Sequence, residues 1–450
     1  MSNLFGTDGI RGTANEYPIT PEIALKVGKA VAVICSNEFN HKVRILLGRD
    51  PRISGEMLSS SIAGGLMSMG ADVYFAGVLP TPAVAYLTRT LKMDCGIMIT
   101  ASHNPARDNG IKIFGSDGFK LNDDFENQIQ KMVFDGFSNS MHISGIQVGT
   151  TQSIDNPLGK YSDFIKKSVH DCSLNGLKIV LDCANGAASE VAPLLFSKLG
   201  ADLILTGTTP NGLNINNQCG ATHPENMSAL VLKHGADLGI ALDGDADRVI
   251  FCDSAGSIVN GDRIIALCAL EFKKRSMLKN DSVVVTSMTN LGFHKAMRAA
   301  GINVIVADVG DRFVIEKMRL HQCNIGGEQS GHIIIFDYVT TGDGIITALH
   351  ILLMMQQQKK SIKTLADCME EFPQCLTNLP VKEKIPFEDC PALRKIILEC
   401  EDDLGSNGRV IVRYSGTESK IRILLEAKNK ADVQKWTEQI SKIVRKELGE

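Results

Sequence analysis

One pattern recurs three times along the chain and limits its fold more than any other feature. Val43–Leu47 is a short apolar run. It is followed by Leu58, Ile62, Leu66 and Met69 at helical spacing, then Gly70-Ala71-Asp72 and a second apolar run, Val73–Phe75. The order returns at Leu177–Leu181, with Val191, Leu195 and Leu199, then Gly200-Ala201-Asp202 and Leu203–Leu205. It returns again at Val283–Val285, with Phe293, Met297 and Ala300, then Gly301-Ile302-Asn303 and Val304–Val306. Each unit reads strand, helix, glycine stop, strand. A glycine there suits the left-handed backbone that ends many helices. Ser54, Ser189 and Asn290 stand where N-caps belong. Short apolar strands joined by a helix imply parallel pairs buried on both faces, with right-handed crossovers.

The fold class expected is α/β: three tandem α/β domains with mixed, mostly parallel sheets, and a smaller C-terminal α+β domain. In the last stretch Val410–Val412 and Ile421–Leu425 read as strands, and Val433, Trp436, Ile440 and Val444 line one helix face. Residues 136–159, rich in Gly, Ser, Asn and Thr, suggest the first boundary. The expected domains are 1–150, 151–252, 253–370 and 371–450.

Composition excludes several classes of function. Lys and Arg total 47 against 51 Asp and Glu, a net charge of −4, and aromatics are 5%. Neither bulk attraction to nucleic acid nor a base-stacking platform fits that balance. No apolar run nears the ~18 residues that a membrane helix needs. Met1–Gly12 lacks the apolar centre of a secretory signal. Twelve cysteines are scattered from Cys35 to Cys400 without a C-x-x-C pair. They read as reduced thiols of a cytoplasmic protein, not as a zinc site.

Four motifs carry chemistry. Thr100-Ala101-Ser102-His103-Asn104-Pro105 follows the apolar run Gly96–Ile99, so Ser102 sits where a buried strand meets a loop. A plain turn would use the same residues. Ser102 lacks the flanking glycines of a hydrolase elbow, but a phosphoryl-carrying hydroxyl needs only a cation and an acid–base partner. Asp243-Gly244-Asp245-Ala246-Asp247-Arg248 supplies the cation site. Carboxylates at i, i+2 and i+4 of an extended segment face one side, repel one another, and suit a hard divalent ion. An EF-hand is rejected, because Arg248 and Ser254 occupy its glycine and glutamate positions.

Gly326-Gly327-Glu328-Gln329-Ser330-Gly331-His332 offers donors and acceptors that suit a polyhydroxylated sugar, and His332 a proton carrier near neutral pH. Arg413-Tyr414-Ser415-Gly416-Thr417-Glu418 suits a phosphate. Asp108-Asn109-Gly110-Ile111-Lys112 follows the serine loop; on sequence alone Lys112 reads first as a surface lysine and second as an acid–base group. Phe5-Gly6-Thr7-Asp8-Gly9-Ile10-Arg11-Gly12 and Gly48-Arg49-Asp50-Pro51-Arg52 add glycines and arginines.

In order and over essentially the whole chain, these motifs resemble those of the α-D-phosphohexomutase family. The opening Phe5–Gly12 segment, and Gln329 within Gly-Glu-Gln-Ser-Gly-His, are similar to the branch that acts on glucosamine phosphates. Tyr414 and Ser419 stand where that branch commonly has proline, and Pro105-Ala106-Arg107-Asp108 lacks aromatics often found there. The resemblance implies domains around a central cleft and an isomerase interconverting glucosamine 6-phosphate and glucosamine 1-phosphate. A phosphoserine at Ser102 and a 1,6-bisphosphate would be the intermediates, and the product would feed UDP-N-acetylglucosamine synthesis.

The same resemblance implies that Mg²⁺ is held by Asp243, Asp245, Asp247 and phospho-Ser102. Ser102, Lys112, His332 and Arg248 would be catalytic. Arg11, Glu328, Gln329, Ser330, Arg413, Ser415, Gly416 and Thr417 would bind substrate, and glucosamine or glucose 1,6-bisphosphate would activate. The alternative within the family is phosphoglucomutase/phosphomannomutase activity by the same chemistry. A non-catalytic sugar-phosphate sensor and a phosphatase are the rivals of other classes, and the intact Ser102, aspartates and His332 count against the sensor. The partner expected is a hexose phosphate, with no nucleic acid and no membrane; a homodimer is one option for assembly.

Overall fold

The structure, a computed structural model, describes residues 4–6, 8–137, 143, 145–170, 172–414 and 419–449. It divides into two compact units: Met1–Ser287 with Ile305–Asp367, and Met288–Val304 with Cys368–Glu450.

The first unit carries two sheets and, apart from Asn303 and Val304, a third. In the first, β1 (Ile10–Thr13), β2 (Arg44–Arg49), β3 (Asp72–Val78), β4 (Cys95–Ile99), β5 (Asp108–Gly115) and β6 (Thr151–Ser153) take the order β1-β5-β4-β2-β3-β6. In the second, β7 (Lys178–Asp182), β8 (Asp202–Thr206), β9 (Leu238–Leu242), β10 (Val249–Asp253) and β11 (Ile258–Val259) take the order β11-β10-β9-β7-β8. In the third, β12 (Ser282–Thr286), β13 (Asn303–Ala307), β14 (Ile325–Gly327) and β15 (Ile333–Ile335) take the order β13-β12-β14-β15.

The sheets share a plan. β4, β9 and β14 run parallel to β2, β7 and β12 and return as the antiparallel strands β5, β10 and β15. The serine, aspartate and Gly327–His332 motifs therefore sit at equivalent places, each on the connection leaving the C-terminal end of a parallel strand. Ligand sites in open α/β sheets collect at such ends.

Local chemistry explains the repeated unit. Gly70, Gly200 and Gly301 all have positive φ, +89°, +97° and +66°, as a helix stop requires. Asn290 accepts a hydrogen bond from the Gly292 N–H and caps its helix. The other two expected caps differ. Ser54 occupies the N-cap position without capping: its backbone is already helical (φ −72°, ψ −10°), and its Oγ accepts from Asn109 Nδ2 at 2.8 Å. Ser189 turns back to the Gly186 carbonyl at 2.8 Å, and Glu190 precedes the helix instead.

Three expected assignments shift. Residues 151–153 form β6 and pair with β3, so the first sheet extends past residue 150. Strand β11 pairs with β10 through the turn at Asp253–Ser257, so the second sheet reaches Val259, past residue 252. The helix Leu291–Ala299, read as a crossover of the third repeat, falls in the second compact unit. Specific ties hold it there: Asn290 exchanges two hydrogen bonds with the Phe372 backbone, at 2.9 and 3.0 Å, and Glu426 accepts the Leu291 N–H at 3.2 Å.

The second unit also holds the antiparallel strands β16 (Gln374–Pro380), β17 (Gly408–Tyr414) and β18 (Lys420–Ala427), in the order β16-β18-β17. Trp436, Ile440 and Val444 of the last helix, Lys430–Glu447, join Ile421, Ile423 and Leu425 in its core. Among the described residues no helix is long and apolar enough to cross a membrane. No disulfide joins the twelve cysteines, most of which are buried.

The helices Pro21–Glu38 and Gly55–Ser68 pack against each other by close backbone contact. A Cβ on Gly65 would lie 2.1 Å from the Leu25 carbonyl oxygen, and one on Gly28 would lie 2.4 Å from that of Ile62. Gly64 faces open space. Gly65→Ala should thus destabilise the protein by about 1–3 kcal/mol through overpacking, despite alanine's better helix propensity. Gly64→Ala should be neutral or slightly stabilising. Denaturant unfolding of both variants checks the contrast.

Candidate active site

Ser102 leaves β4 with φ +49°, a left-handed conformation uncommon for a residue with a Cβ. Its Oγ donates to Asp243 Oδ2 at 2.6 Å, joining the connection after β4 to the one after β9. Gly244 permits the approach: a Cβ there would lie 2.6 Å from the Ser102 carbonyl oxygen and 2.7 Å from Asn216 Nδ2.

The aspartate segment is a turn, not the extended strand its spacing suggested. Ala246 has φ +57°, and its N–H donates to the Asp243 carbonyl at 3.0 Å. The chain wraps, and one oxygen from each of Asp243, Asp245 and Asp247 lies within 4.8 Å of the others, all buried. Their remaining valences are filled unequally. Asp243 accepts from Ser102 Oγ and, at 3.1 Å, from the Arg248 N–H. Asp245 Oδ2 accepts from Thr81 Oγ1 at 2.6 Å and Lys112 Nζ at 2.9 Å, and Asp247 Oδ2 accepts from Lys112 Nζ at 3.0 Å. Asp245 Oδ1 and Asp247 Oδ1 are buried without a hydrogen-bond partner. Two bare, desolvated carboxylate oxygens beside a third acid are what an all-oxygen divalent cation would satisfy.

Lys112 corrects the surface reading. Its side chain, projecting from β5, is 1% exposed and also lies 3.3 Å from Asp8. Burial opposes its charge, yet Asp245, Asp247 and Asp8 hold its pKa well above the ordinary value. Asp247 is pulled down to about 2: burial raises it, but Lys112, His332 and Arg248 outweigh that. Asp243 goes the other way, pushed well up by burial first and then by the charges of Asp247 and Asp245.

Arg248 and His332 complete the cluster. Arg248 Nε is 3.8 Å from Asp247 and 4.0 Å from Asp243, and it is buried without a hydrogen-bond partner. His332 docks beside it through a backbone bridge. Both His332 ring nitrogens are buried and unpartnered; Nε2 lies 3.7 Å from Asp311 and 4.0 Å from Asp247.

Glu328 is half-buried and accepts the Gly310 N–H at 3.1 Å, Gln329 is half-buried, and Ser330 is exposed. Arg11 lies on β1 opposite Gly110, ion-paired to Asp8, with its Nε unpartnered. Arg413 is half-buried at the end of β17, opposite Arg422, in the second compact unit. Ser415, Gly416 and Thr417 lie outside the described residues.

Sequence reading missed several members of the network. Lys120 pairs with both Asp8 and Asp311, and Asp311 in turn faces His332. Lys112, Lys120 and Arg11 lower the Asp8 carboxyl well below its usual range against the opposing effect of burial. Asp8 lay in a segment noted for its glycines, its arginine and its family resemblance, not for this carboxylate. Lys120 and Asp311 are isolated polar residues, and a signal for them exists only in three dimensions.

Models of the phosphoglucomutase/phosphomannomutase alpha/beta/alpha domains I, II and III match residues 2–139, 159–256 and 260–372, and that of the C-terminal domain matches 376–443. The chain belongs to the phosphoglucomutase/phosphomannomutase family. Phosphoglucosamine mutase of Citrifermentans bemidjiense is 48% identical over 450 residues, covering 100% of this chain and 99% of the relative. That of Bdellovibrio bacteriovorus is 46% identical over 453 residues, with 100% and 99% covered.

Among solved structures, a family protein of Burkholderia thailandensis superposes with a TM-score of 0.81 at 23% identity, over 99% of this chain and 97% of that one. Aspergillus fumigatus N-acetylphosphoglucosamine mutase, in complex with GlcNAc-6P and magnesium, gives 0.67 at 17% identity, over 98% and 95%. These likenesses concern the fold.

The donor set yields a prediction. Mg²⁺ or Mn²⁺ should raise the melting temperature, and Asp245→Asn should remove most of the rise. At a cation concentration ~100 times Kd the gain is about 2.7 kcal/mol. Affinity should grow with pH, because burial and the neighbouring Asp247 and Asp245 charges push the Asp243 carboxyl upward and the cation binds it in its ionised form. Thermal shifts at several pH values test both points.

Proposed function

We propose that this chain interconverts glucosamine 6-phosphate and glucosamine 1-phosphate by way of phospho-Ser102 and a 1,6-bisphosphate. The observation that carries the reading is the buried contact of Ser102 Oγ with Asp243 at 2.6 Å, among two further aspartates and Lys112. The four matching domain models and the full-length similarity to phosphoglucosamine mutases support it.

In this reading Ser102 carries the phosphoryl group, and O1 of the 6-phosphate attacks its phosphorus as the P–Oγ bond breaks. The bisphosphate turns round, and Ser102 Oγ takes the phosphoryl group back from O6. Asp243, Asp245, Asp247 and an oxygen of phospho-Ser102 would hold Mg²⁺, which neutralises charge on the transferring group when bound. Lys112, kept charged by three carboxylates, serves as a fixed cation beside that group and is ill-suited to be a base. His332, with both nitrogens unpartnered, is the better proton carrier.

Arg248 and Arg11 are the candidate cations for substrate oxygens, each with a buried Nε left to donate. Glu328, Gln329 and Ser330 are the candidates for sugar hydroxyls. Arg413, Ser415, Gly416 and Thr417 are the candidates for the phosphate that is not reacting. We place the activity in the cytoplasm and the product on the route to UDP-N-acetylglucosamine.

A coupled assay with catalytic glucose 1,6-bisphosphate tests the reading. Glucosamine 6-phosphate should be turned over with a kcat/KM well above that for glucose or mannose phosphates. Ser102→Ala should abolish turnover and keep sugar-phosphate binding. A preference for glucose or mannose phosphate would move the chain to the other activity of its family. Full activity of Ser102→Ala would refute the phosphoserine route.

A further inference from the structure

Among buried side chains that the proposed reaction leaves idle, Arg52 is the most heavily committed. It is completely buried, as is its partner Asp50. Its Nε donates to Asp50 Oδ2 at 2.9 Å. Its Nη1 donates to the carbonyls of Pro105 and, at 3.0 Å, Asp108. Its Nη2 donates to the carbonyls of Ser102 at 2.9 Å and Asn104 at 2.8 Å. A guanidinium has five N–H groups in a rigid fork, and all are spent, four of them on the serine loop.

Asp50 extends the grip. It accepts from Thr100 Oγ1 at 2.7 Å, and that hydroxyl accepts the Ser102 N–H at 2.9 Å. A second clamp comes from the neighbouring sheet's connection: Asn216 Nδ2 donates to the Ser102 carbonyl at 2.8 Å and that of Asn104 at 3.0 Å. An apolar core residue would fill the same space without burying a charge. The arrangement instead fixes carbonyl directions around a residue held at φ +49°. Peptide planarity adds a consequence. With the Ser102 carbonyl tied to Arg52 and Asn216, the His103 N–H points away from both, and it has no hydrogen-bond partner among the described residues.

We infer that Arg52, seconded by Asn216, is a positioning residue for phosphoryl transfer: it locks the Ser102–Asp108 loop so that Ser102 Oγ stays against Asp243 and the His103 N–H stays free for a phosphoryl oxygen. The inference rests on Ser102 being the phosphoryl carrier, and the test separates the two claims. Protein stripped of phosphate by a phosphatase is mixed with Mg²⁺ and glucose 1,6-bisphosphate. Phosphorylation is followed by intact mass, with melting temperature and sugar-phosphate affinity measured in parallel.

If wild-type protein gains no phosphoryl group on Ser102, the reading of the reaction fails. If it does, R52K, whose single ammonium cannot reach four carbonyls in one plane, should phosphorylate on the order of 100-fold more slowly, as misplacement of a reacting group by about 1 Å costs. N216A should show a smaller loss in the same step. Sugar-phosphate affinity of both folded variants should be unchanged. Wild-type phosphorylation rates in both, or losses that only track the unfolded fraction, overturn the inference. If R52K does not fold, N216A decides: a slowed phosphorylation at unchanged affinity upholds the positioning role, and a wild-type rate rejects it.

Discussion

The architecture of the site depends on one buried ammonium. Lys112 stands on β5 of the first sheet, and its nearest neighbours, Asp245 and Asp247, belong to the connection after β9 in the second. Without that cation the two carboxylates would face each other and Asp8 in a dry interior. Removing one partner of such a set typically costs about 3–5 kcal/mol, since the charges left behind stay buried. The lysine therefore brings the serine loop and the aspartate turn into register before any ligand arrives.

Charge is graded across the cluster. Asp247 and Asp8, next to lysine, are held strongly ionised, whereas Asp243, beside the serine hydroxyl and farther from Lys112, is held toward its protonated form. The acid that touches the serine is the least content as an anion, and it has most to gain from a divalent neighbour. A wider ring of Lys120, Asp311 and His332 draws in the third sheet, so all three hairpin connections meet in one charged interior.

Local pattern carried the repeated units well, because burial on both faces leaves continuous apolar runs and a helix stop demands glycine at positive φ. Ser102 and the aspartates were legible for a related reason: each follows an apolar run where a parallel strand ends, whereas His332 was legible from the glycine-rich polar segment that precedes it. What could not be read locally were pairings between distant residues. Strand β6 is a polar three-residue edge with no apolar signature. The helix Leu291–Ala299 looks like any crossover until Asn290 meets Phe372. Lys112 reads as a surface residue because its three carboxylates come from two distant segments. Arg52 stood in a segment noted for its arginines, yet its carbonyl partners lie about fifty residues further on.

The backbone at Ser102 also narrows which alcohol can occupy that position. At φ +49° a β-branched side chain is a true outlier, crowding its own carbonyl. Threonine, a ready substitute for serine in many nucleophilic roles, is thus shut out by conformation before chemistry is considered. The fold commits this chain to a primary hydroxyl, and any descendant that exchanges it must first rebuild the loop.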